Sequence, residues 1–318
     1  MAADSIKPRL TSAEASAITR RIALASVAVA VVLIVLKAWA WFASGSVAML
    51  SSLADSVLDF AASLFTYFAV RYAATPPDGE HRYGHGKAEA FAGLFQAGLV
   101  AVSAALILVE AARRIAAPEP VRAGEESLVV MGLSILLTSA LVLAQSRAIA
   151  QTGSVATKGD REHYAADLTS NIVVVFGIAA GHFLGWSWAD AAAGILVACW
   201  LALGAYEVAR ESADHLMDRE LPDEDRARIE ALARDDPAIL GVHDLRTRSS
   251  GPFIHIQFHA DLDPEISLKA AHEVVVAAEA RIRTAYPAAD VIIHPDPADG
   301  VDPHGHEAFL EGRAARAR

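Results

Sequence analysis

The chain has 318 residues, of which 54% are hydrophobic and only 20% are charged, and its formal net charge is −11. So apolar a composition is typical of a membrane protein with several spans rather than of a soluble protein. The negative charge argues against nucleic acid as a partner, and the single cysteine, Cys199, excludes both an intrachain disulfide and a cysteine-based metal site.

Six segments are apolar over the roughly 20 residues that a helix needs to cross a bilayer. In chain order they are 21–42, 47–73, 88–114, 126–149, 163–184 and 188–211. Residues 1–20 precede them as an N-terminal tail, and we expect no cleavable signal peptide because the first apolar run continues to full spanning length. The sequence thus predicts a six-helix transmembrane domain over residues 21–212.

Positive charges are distributed unevenly between the two sides of this predicted domain. Lysines and arginines cluster in the N-terminal tail, in the loops around 74–87 and 150–162, and after the sixth span. The opposite side carries only Arg113, Arg114 and Arg122. Because the loops rich in positive charge stay in the cytoplasm, we expect both termini to be cytoplasmic. Lys37, near the outer end of the first span, is expected to extend its ammonium towards the interface.

Four ionisable residues lie inside the predicted spans as two matched pairs. Asp55 and Asp59 are four residues apart on the second span, and His163 and Asp167 have the same spacing on the fifth. Residues four apart lie about 40° from each other on one helix face, so each helix presents two potential ligands on one side. Three carboxylates and one imidazole match a tetrahedral set for Zn²⁺ or a similar divalent ion. Each residue alone could instead be a polar contact between helices.

A cluster of carboxylates and an imidazole of this kind is expected to bind protons. Neighbouring carboxylates in a medium of low dielectric constant repel one another, so some of them should bind protons when no metal is present. Ligands bind a metal in their deprotonated form, and an entering ion therefore displaces those protons. The pattern predicts exchange of a metal ion for protons, which is the chemistry of an antiporter.

Two other classes of protein stay open at this point. A membrane metalloenzyme would need a motif such as H-E-x-x-H, and the nearest stretch, HEVV at 272–275, lacks the second histidine. A membrane-bound metal sensor or storage protein would not require paired ligands on two spans. A flux assay driven by a pH gradient separates all three classes.

The loop between the second and third spans, TPPDGEHRYGHGKAEA, carries a second group of candidate ligands. Pro76 and Pro77 end the preceding helix. Asp78, His81 and His85 then follow with D-x2-H-x3-H spacing. This spacing favours a second metal site, but polar loops often contain histidines, so both interpretations stay open.

Residues 213–297 have the composition of a soluble domain. An amphipathic helix over 221–237 is followed by two strands, GVHDLRTR and PFIHIQFHADL, by a second helix, SLKAAHEVVVAAEARIRTAY, and by a last strand, ADVIIHPDP. The order α-β-β-α-β predicts a small α+β layer fold. Residues 298–318, which contain His304 and His306, are expected to be a disordered tail.

Histidines recur at the edges of the elements of this soluble domain. Each alone would be a solvated surface residue, but as a set, together with one carboxylate, they could hold one or two divalent ions. The candidates are His243, His259, His272, His294 and Asp296.

Taken together, these pieces resemble the cation diffusion facilitators, and most closely their bacterial zinc- and iron-efflux branch. The matching stretches, which span about residues 20 to 297, are SLADSVLDFAAS, DGEHRYGHGKAEAFAGL, HYAADLTSN, HLMDRELPDE, GVHDLRTRSSGP and DVIIHPDP. The resemblance implies a polytopic α-helical protein of the bacterial inner membrane with a cytoplasmic metallochaperone-like domain. It also implies a homodimer that exports a divalent metal in exchange for protons.

The resemblance further implies a role for each candidate group. The two intramembrane pairs match the transport site, the loop residues match a loop site, and the soluble-domain set matches a binuclear site that joins paired domains. Lys87 and Asp218 match a charge pair that locks the dimer. His163 favours Zn²⁺, with Cd²⁺ and Fe²⁺ as further candidates. His255 is an additional histidine that the pattern lacks.

Overall fold

The structure is a computed structural model. It describes residues 10–44, 47–116, 125–184 and 189–299. Within this part the chain divides into two compact units. The first, called here the helical unit, comprises Ser12–Met217 with Ser250–Pro252, and the second, the mixed unit, comprises most of the residues that follow 217. His304 and His306 lie outside the described residues.

The helical unit contains six long helices in its described residues. They are α1 (Ser12–Ser44), α2 (Val47–Ala73), α3 (Ala88–Ala116), α4 (Glu125–Thr152), α5 (Val155–Leu184) and α6 (Ala189–Leu216). Each predicted span corresponds to one of these helices, which confirms the predicted helical architecture. Five of these six are long and apolar enough to cross a membrane by length and composition, and over the described residues α5 is the exception among the six.

Two helices begin well before the apolar segments that predicted them. α1 begins at Ser12 rather than at residue 21, and α5 begins at Val155 rather than at residue 163. The added turns of α5 are polar, and among them Asp160 is buried and hydrogen-bonded to neighbouring helices. A hydropathy pattern treats such polar turns as loop. Here their buried polar groups are hydrogen-bonded to protein partners rather than to water, so the helix can include them.

Glycines allow α3 to approach α5 and α6 closely. A Cβ added at Gly159 would lie 2.8 Å from the Cβ of Gln96, and one added at Gly93 would lie 2.5 Å from Oγ of Ser212. Neither position has room for a larger side chain, and small residues of this kind are what bring membrane helices together. The approach fixes the first part of α5, directly before its two candidate ligands.

Over its described residues, the mixed unit contains two helices and three strands. They are α7 (Asp223–Ala233), β1 (Gly241–Ser250), β2 (Phe253–Leu262), α8 (Leu268–Ala285) and β3 (Ala289–Pro297). The strand order is β1-β2-β3, and β2 pairs in parallel with β3. Parallel neighbours need a crossover connection, which α8 supplies. The predicted order α-β-β-α-β is confirmed.

The mixed unit has a hydrophobic core of its own. Ile256 and Phe258 on β2, Ile229 on α7 and Ile282 on α8 are at most 1% exposed and belong to one cluster. Side chains alternate between the two faces of a strand, so burying Ile256 and Phe258 directs His259 to the opposite face. The same alternation therefore forms the core and places a row of polar groups on the other face of the sheet.

Candidate metal sites

Three of the four intramembrane candidates come together between α2 and α5. Asp59, His163 and Asp167, called here the membrane cluster, each offer a ligand atom within 4.8 Å of the others. Nε2 of His163 lies 3.1 Å from Oδ1 of Asp59 and 4.0 Å from Oδ2 of Asp167. Ligand atoms around tetrahedral Zn²⁺ are separated by about 3.3 Å. Small movements therefore suffice for all three to bind one ion.

The imidazole of His163 presents one nitrogen to both carboxylates. Nε2 faces Asp59 and Asp167, whereas the buried Nδ1 has no hydrogen-bond partner among the described residues. A proton on Nε2 can be donated to Asp59, but a metal needs the lone pair of that same nitrogen. A metal ion bound by His163 through this nitrogen would have to replace a proton carried there.

Asp55, the fourth candidate, lies one helical turn before Asp59 on α2. Its side chain is exposed in the single chain, and within the described residues it does not join the group of ligand atoms within 4.8 Å. Its place in the site stays a prediction.

Lys37 on α1 departs from its expected position. Its Nζ donates hydrogen bonds to the carbonyl oxygen of Ser52 at 3.2 Å and to Oγ of Ser56 at 2.7 Å, both on α2. The expectation that this ammonium extends to the interface is therefore wrong. Acceptors on the neighbouring helix provide a partner inside the protein, which hydropathy of the first span alone does not reveal.

Asp160, which the sequence analysis overlooked, is a buried carboxylate one turn before His163. Nε2 of Gln145 donates to its Oδ2 at 2.8 Å, and Oγ of Ser63 and Nε2 of Gln96 donate to its Oδ1, each at 3.3 Å. These donors lie on α4, α2 and α3, so the carboxylate connects four helices. The polar stretch DREH before the apolar run was the available signal.

The three predicted loop residues also lie together, and are called here the loop cluster. Oδ2 of Asp78 is 3.3 Å from Nε2 of His85, and Oδ1 is 3.6 Å from Nδ1 of His81. Backbone N–H groups of His81 and Glu80 donate to Asp78, and these hydrogen bonds, that of His81 foremost, hold the pKa of the carboxyl below its usual value. His85 is buried, whereas Asp78 and His81 are exposed.

In the mixed unit, four of the five predicted residues gather on one carboxylate, and they are called here the strand cluster. Asp296 on β3 is 4% exposed. Its Oδ2 is 2.7 Å from Nδ1 of His259 and 3.5 Å from Nε2 of His243, and its Oδ1 is 3.2 Å from Nε2 of His294. The register that pairs His259 with His294 places these rings side by side.

His272, the fifth predicted residue, is exposed on α8 and is not among the described residues that form this cluster. Its role as a ligand stays a prediction.

Two aspartates that the sequence analysis missed face the strand cluster. Oδ1 of Asp261 is 3.2 Å from Nδ1 of His243, and Oδ2 of Asp244 is 4.0 Å from Nε2 of His259. Each carboxylate thus faces the ring nitrogen that is turned away from Asp296. Such partners fix the tautomer and orientation of histidines that bind metal. Asp261 could have been found, because it follows His259 by two residues on one strand face.

His255 lies apart from these ligands. It is paired with Asp290 in the β2–β3 register, and its Nδ1 is 3.5 Å from Oδ2 of that residue. Burial lowers the pKa of the His255 imidazole, and the charge of Arg248 lowers it further. The side chain therefore favours the neutral form.

The members of the predicted dimer charge pair have contacts of their own. Nζ of Lys87 donates to the carbonyl oxygen of Leu216 at 3.1 Å, at the carboxyl end of α6, where a cation is favoured. Oδ2 of Asp218 accepts from Nη1 of Arg248 at 3.1 Å. The pairing of Lys87 with Asp218 stays a prediction.

Long apolar helices with metal-type ligands between them are typical of a membrane carrier of divalent cations. Comparison with protein families identifies the family of carriers to which the chain belongs. The cation efflux transmembrane domain matches residues 23–217, and the cytoplasmic domain of cation efflux proteins matches residues 221–298. The chain therefore belongs to the cation efflux family, the cation diffusion facilitators, as its motifs predicted.

Two cation-efflux pumps agree with this assignment. The cation-efflux pump FieF of Shewanella oneidensis is 44% identical over 273 residues, which cover 86% of this chain and 92% of that protein. FieF of Klebsiella pneumoniae is 37% identical over 293 residues, covering 92% of this chain and 96% of that protein. The solved metal-bound C-terminal domain of the CzcD transporter from Thermotoga maritima is 26% identical, with a TM-score of 0.24, and covers 25% of this chain and 93% of that structure.

Proposed function

We propose that this protein exports Zn²⁺ from the cytoplasm in exchange for protons, and that the membrane cluster, completed by Asp55, is its transport site. The observation that carries the proposal is the single nitrogen, Nε2 of His163, that faces both Asp59 and Asp167. A bound proton joins histidine to carboxylate there, and an entering metal ion must displace it. One imidazole with carboxylates suits Zn²⁺, and Cd²⁺ and Fe²⁺ accept the same donor types.

The exchange gives the protein a direction of transport. Zn²⁺ from the cytoplasm displaces protons from the cluster, and movement of α2 and α5 relative to the other helices then opens the site outward. Protons entering down their gradient protonate His163 and the carboxylates, which releases the metal and resets the site. A site whose access alternates between the two sides is the general basis of secondary transport.

The mixed unit serves in this proposal as a cytoplasmic sensor and dimerisation domain. Regulatory Zn²⁺ binds at the strand cluster, with His272 as a further ligand in the homodimer, and the loop cluster is a separate site. The family match over residues 221–298 and the three histidines around Asp296 support this role. We further propose that both termini are cytoplasmic in a bacterial inner membrane, and that Lys87 and Asp218 stabilise the dimer.

The proposal is tested by metal flux into proteoliposomes that contain the purified full-length protein. Zn²⁺, Cd²⁺, Fe²⁺ and Mn²⁺ are each added with and without an imposed pH gradient. Flux of Zn²⁺ that rises with the gradient is expected. A protein that binds Zn²⁺ but gives no flux under either condition would instead be a membrane-bound sensor or storage protein.

A further inference from the structure

Lys37 places a positive charge inside the contact between α1 and α2. Its Nζ donates to the carbonyl oxygen of Ser52 and to Oγ of Ser56, at 3.2 and 2.7 Å. Ser56 is only 1% exposed, so the ammonium ends within the helical contact. A charge in such a place is costly unless other groups compensate it, and its surroundings are therefore informative about its role.

The groups that compensate this charge include the candidate ligands. Ser52, Ser56 and Asp59 are spaced i, i+4 and i+7, so they lie along one stripe of α2. The ammonium bound to the two serines is therefore about one helical turn from Asp59. It is close enough to Asp59, Asp167 and Asp55 for all three carboxylates to attract it electrostatically.

We propose that Lys37 is a resident counter-ion that lowers the affinity of the membrane cluster for its divalent ion. In the metal-free site, the ammonium partly neutralises the carboxylates. When the metal enters, the two cations repel each other. The affinity is therefore lower than the ligands alone would give, and bound metal leaves more easily. The inference rests on the proposed transport site and adds a residue on a third helix, α1, that helps to set its metal affinity.

The expected size of the effect follows from Coulomb's law. Repulsion between a unit charge and a divalent ion about one to two helical turns apart changes the affinity by about tenfold even at a dielectric constant close to that of water, so in a partly hydrated interior we expect a change of at least about tenfold. The ammonium needs no contact with the metal to act in this way, because the interaction falls only slowly with distance inside a protein.

Two substitutions separate the charge of Lys37 from its hydrogen bonds. Lys37→Gln removes the charge but keeps a donor for Ser52 and Ser56, and Lys37→Arg keeps the charge. Equilibrium binding of radioactive Zn²⁺ is measured on the full-length protein in lipid nanodiscs. The component of binding that disappears in Asp167→Ala defines the membrane cluster, so that binding at the other clusters is subtracted.

Lys37→Gln is expected to tighten this component at least about tenfold, and Lys37→Arg to leave it unchanged. If circular dichroism shows that the Gln variant is unfolded, Lys37→Met replaces it with the same expectation. Unchanged or weaker binding in the neutral variant would overturn the inference, as would equal tightening in Lys37→Arg. If Asp167→Ala removes no binding component at all, the proposed transport site itself is wrong, and the inference fails with it.

Discussion

His163 on α5 and Asp59 on α2 are joined by a contact of 3.1 Å between Nε2 and Oδ1. The contact crosses between two helices, and Asp167 lies 4.0 Å from the same nitrogen. A change in the occupant of this nitrogen, from proton to metal, therefore changes what holds α2 and α5 together. In the proposed function, exchange of a proton for a metal ion at this nitrogen would act directly on the contact between α2 and α5.

Asp59→Asn should remove most of the metal binding by the membrane cluster. The amide keeps the shape of the side chain but loses the charge that attracts a cation. Loss of a partner that only supports a ligand typically lowers metal affinity about 10–100-fold. Loss of a direct ligand should cost more, so we expect binding to be at least about 100-fold weaker. Binding of Zn²⁺ to the full-length protein measures the change. Glu80→Gln, which neutralises an exposed loop carboxylate, is the matched control. Equal effects of the two substitutions would contradict the assignment.

Asp160→Ala should destabilise the helical unit. It removes one acceptor from Gln145, Gln96 and Ser63. Each of these donors keeps a second partner, so the loss is the net contribution of the hydrogen bonds themselves, about 0.5–1.5 kcal/mol each. The midpoint of thermal unfolding in detergent should fall clearly. Asp160→Asn, which retains one acceptor oxygen, should have a smaller effect. A midpoint unchanged by the alanine substitution would show that the hydrogen bonds to Asp160 do not stabilise the helices.

Asp296→Ala should weaken metal binding in the mixed unit more than any single histidine substitution. Its carboxylate faces His243, His259 and His294, so its loss removes a contact from each of the three histidines. Titration calorimetry on the fragment 213–318, whose core is self-contained, measures the binding. Asp263→Ala, at an exposed position, is the control. Metal binding that survives in Asp296→Ala would place the regulatory site elsewhere.

His255→Gln should reduce the dependence of the mixed unit's stability on pH. Burial lowers the pKa of His255 in the folded state, whereas the unfolded chain has a histidine pKa of about 6.5. Below that pH the unfolded state binds more protons, so the free energy of unfolding decreases as the pH falls from about 6.5 towards the folded pKa. Urea unfolding of the fragment at neutral and acidic pH measures this loss. An identical loss in the variant would rule out a contribution from His255.

Matched spacing was enough to predict that α2 and α5 each present two ionisable side chains on one face, because helical geometry relates i to i+4 without further information. The same holds for the strand cluster, where alternation on β2 separates Ile256 and Phe258 from His259. The parallel pairing of β2 with β3 also follows from the helix between them. Local periodicity therefore predicts which residues share a face.

Contacts between distant helices were not predictable in this way. Asp160 lies in a polar stretch before an apolar run, and its burial depends on glutamines of α3 and α4 that are far away in sequence. Lys37 was expected at the interface from its place near the end of the first span. Its acceptors belong to another helix, so the sequence of that span alone does not reveal them. Both residues are polar groups satisfied by partners that only the packed structure brings near.

The central claim, that Zn²⁺ and protons compete at the membrane cluster, is tested most directly by Zn²⁺/H⁺ exchange in proteoliposomes. Wild-type protein, His163→Ala and Asp167→Ala are compared, with His255→Ala as the control histidine outside the cluster. We predict that exchange is abolished in both cluster variants while they remain dimeric, and that His255→Ala exchanges like the wild type. Undiminished exchange by a folded, dimeric His163→Ala or Asp167→Ala protein would contradict the claim.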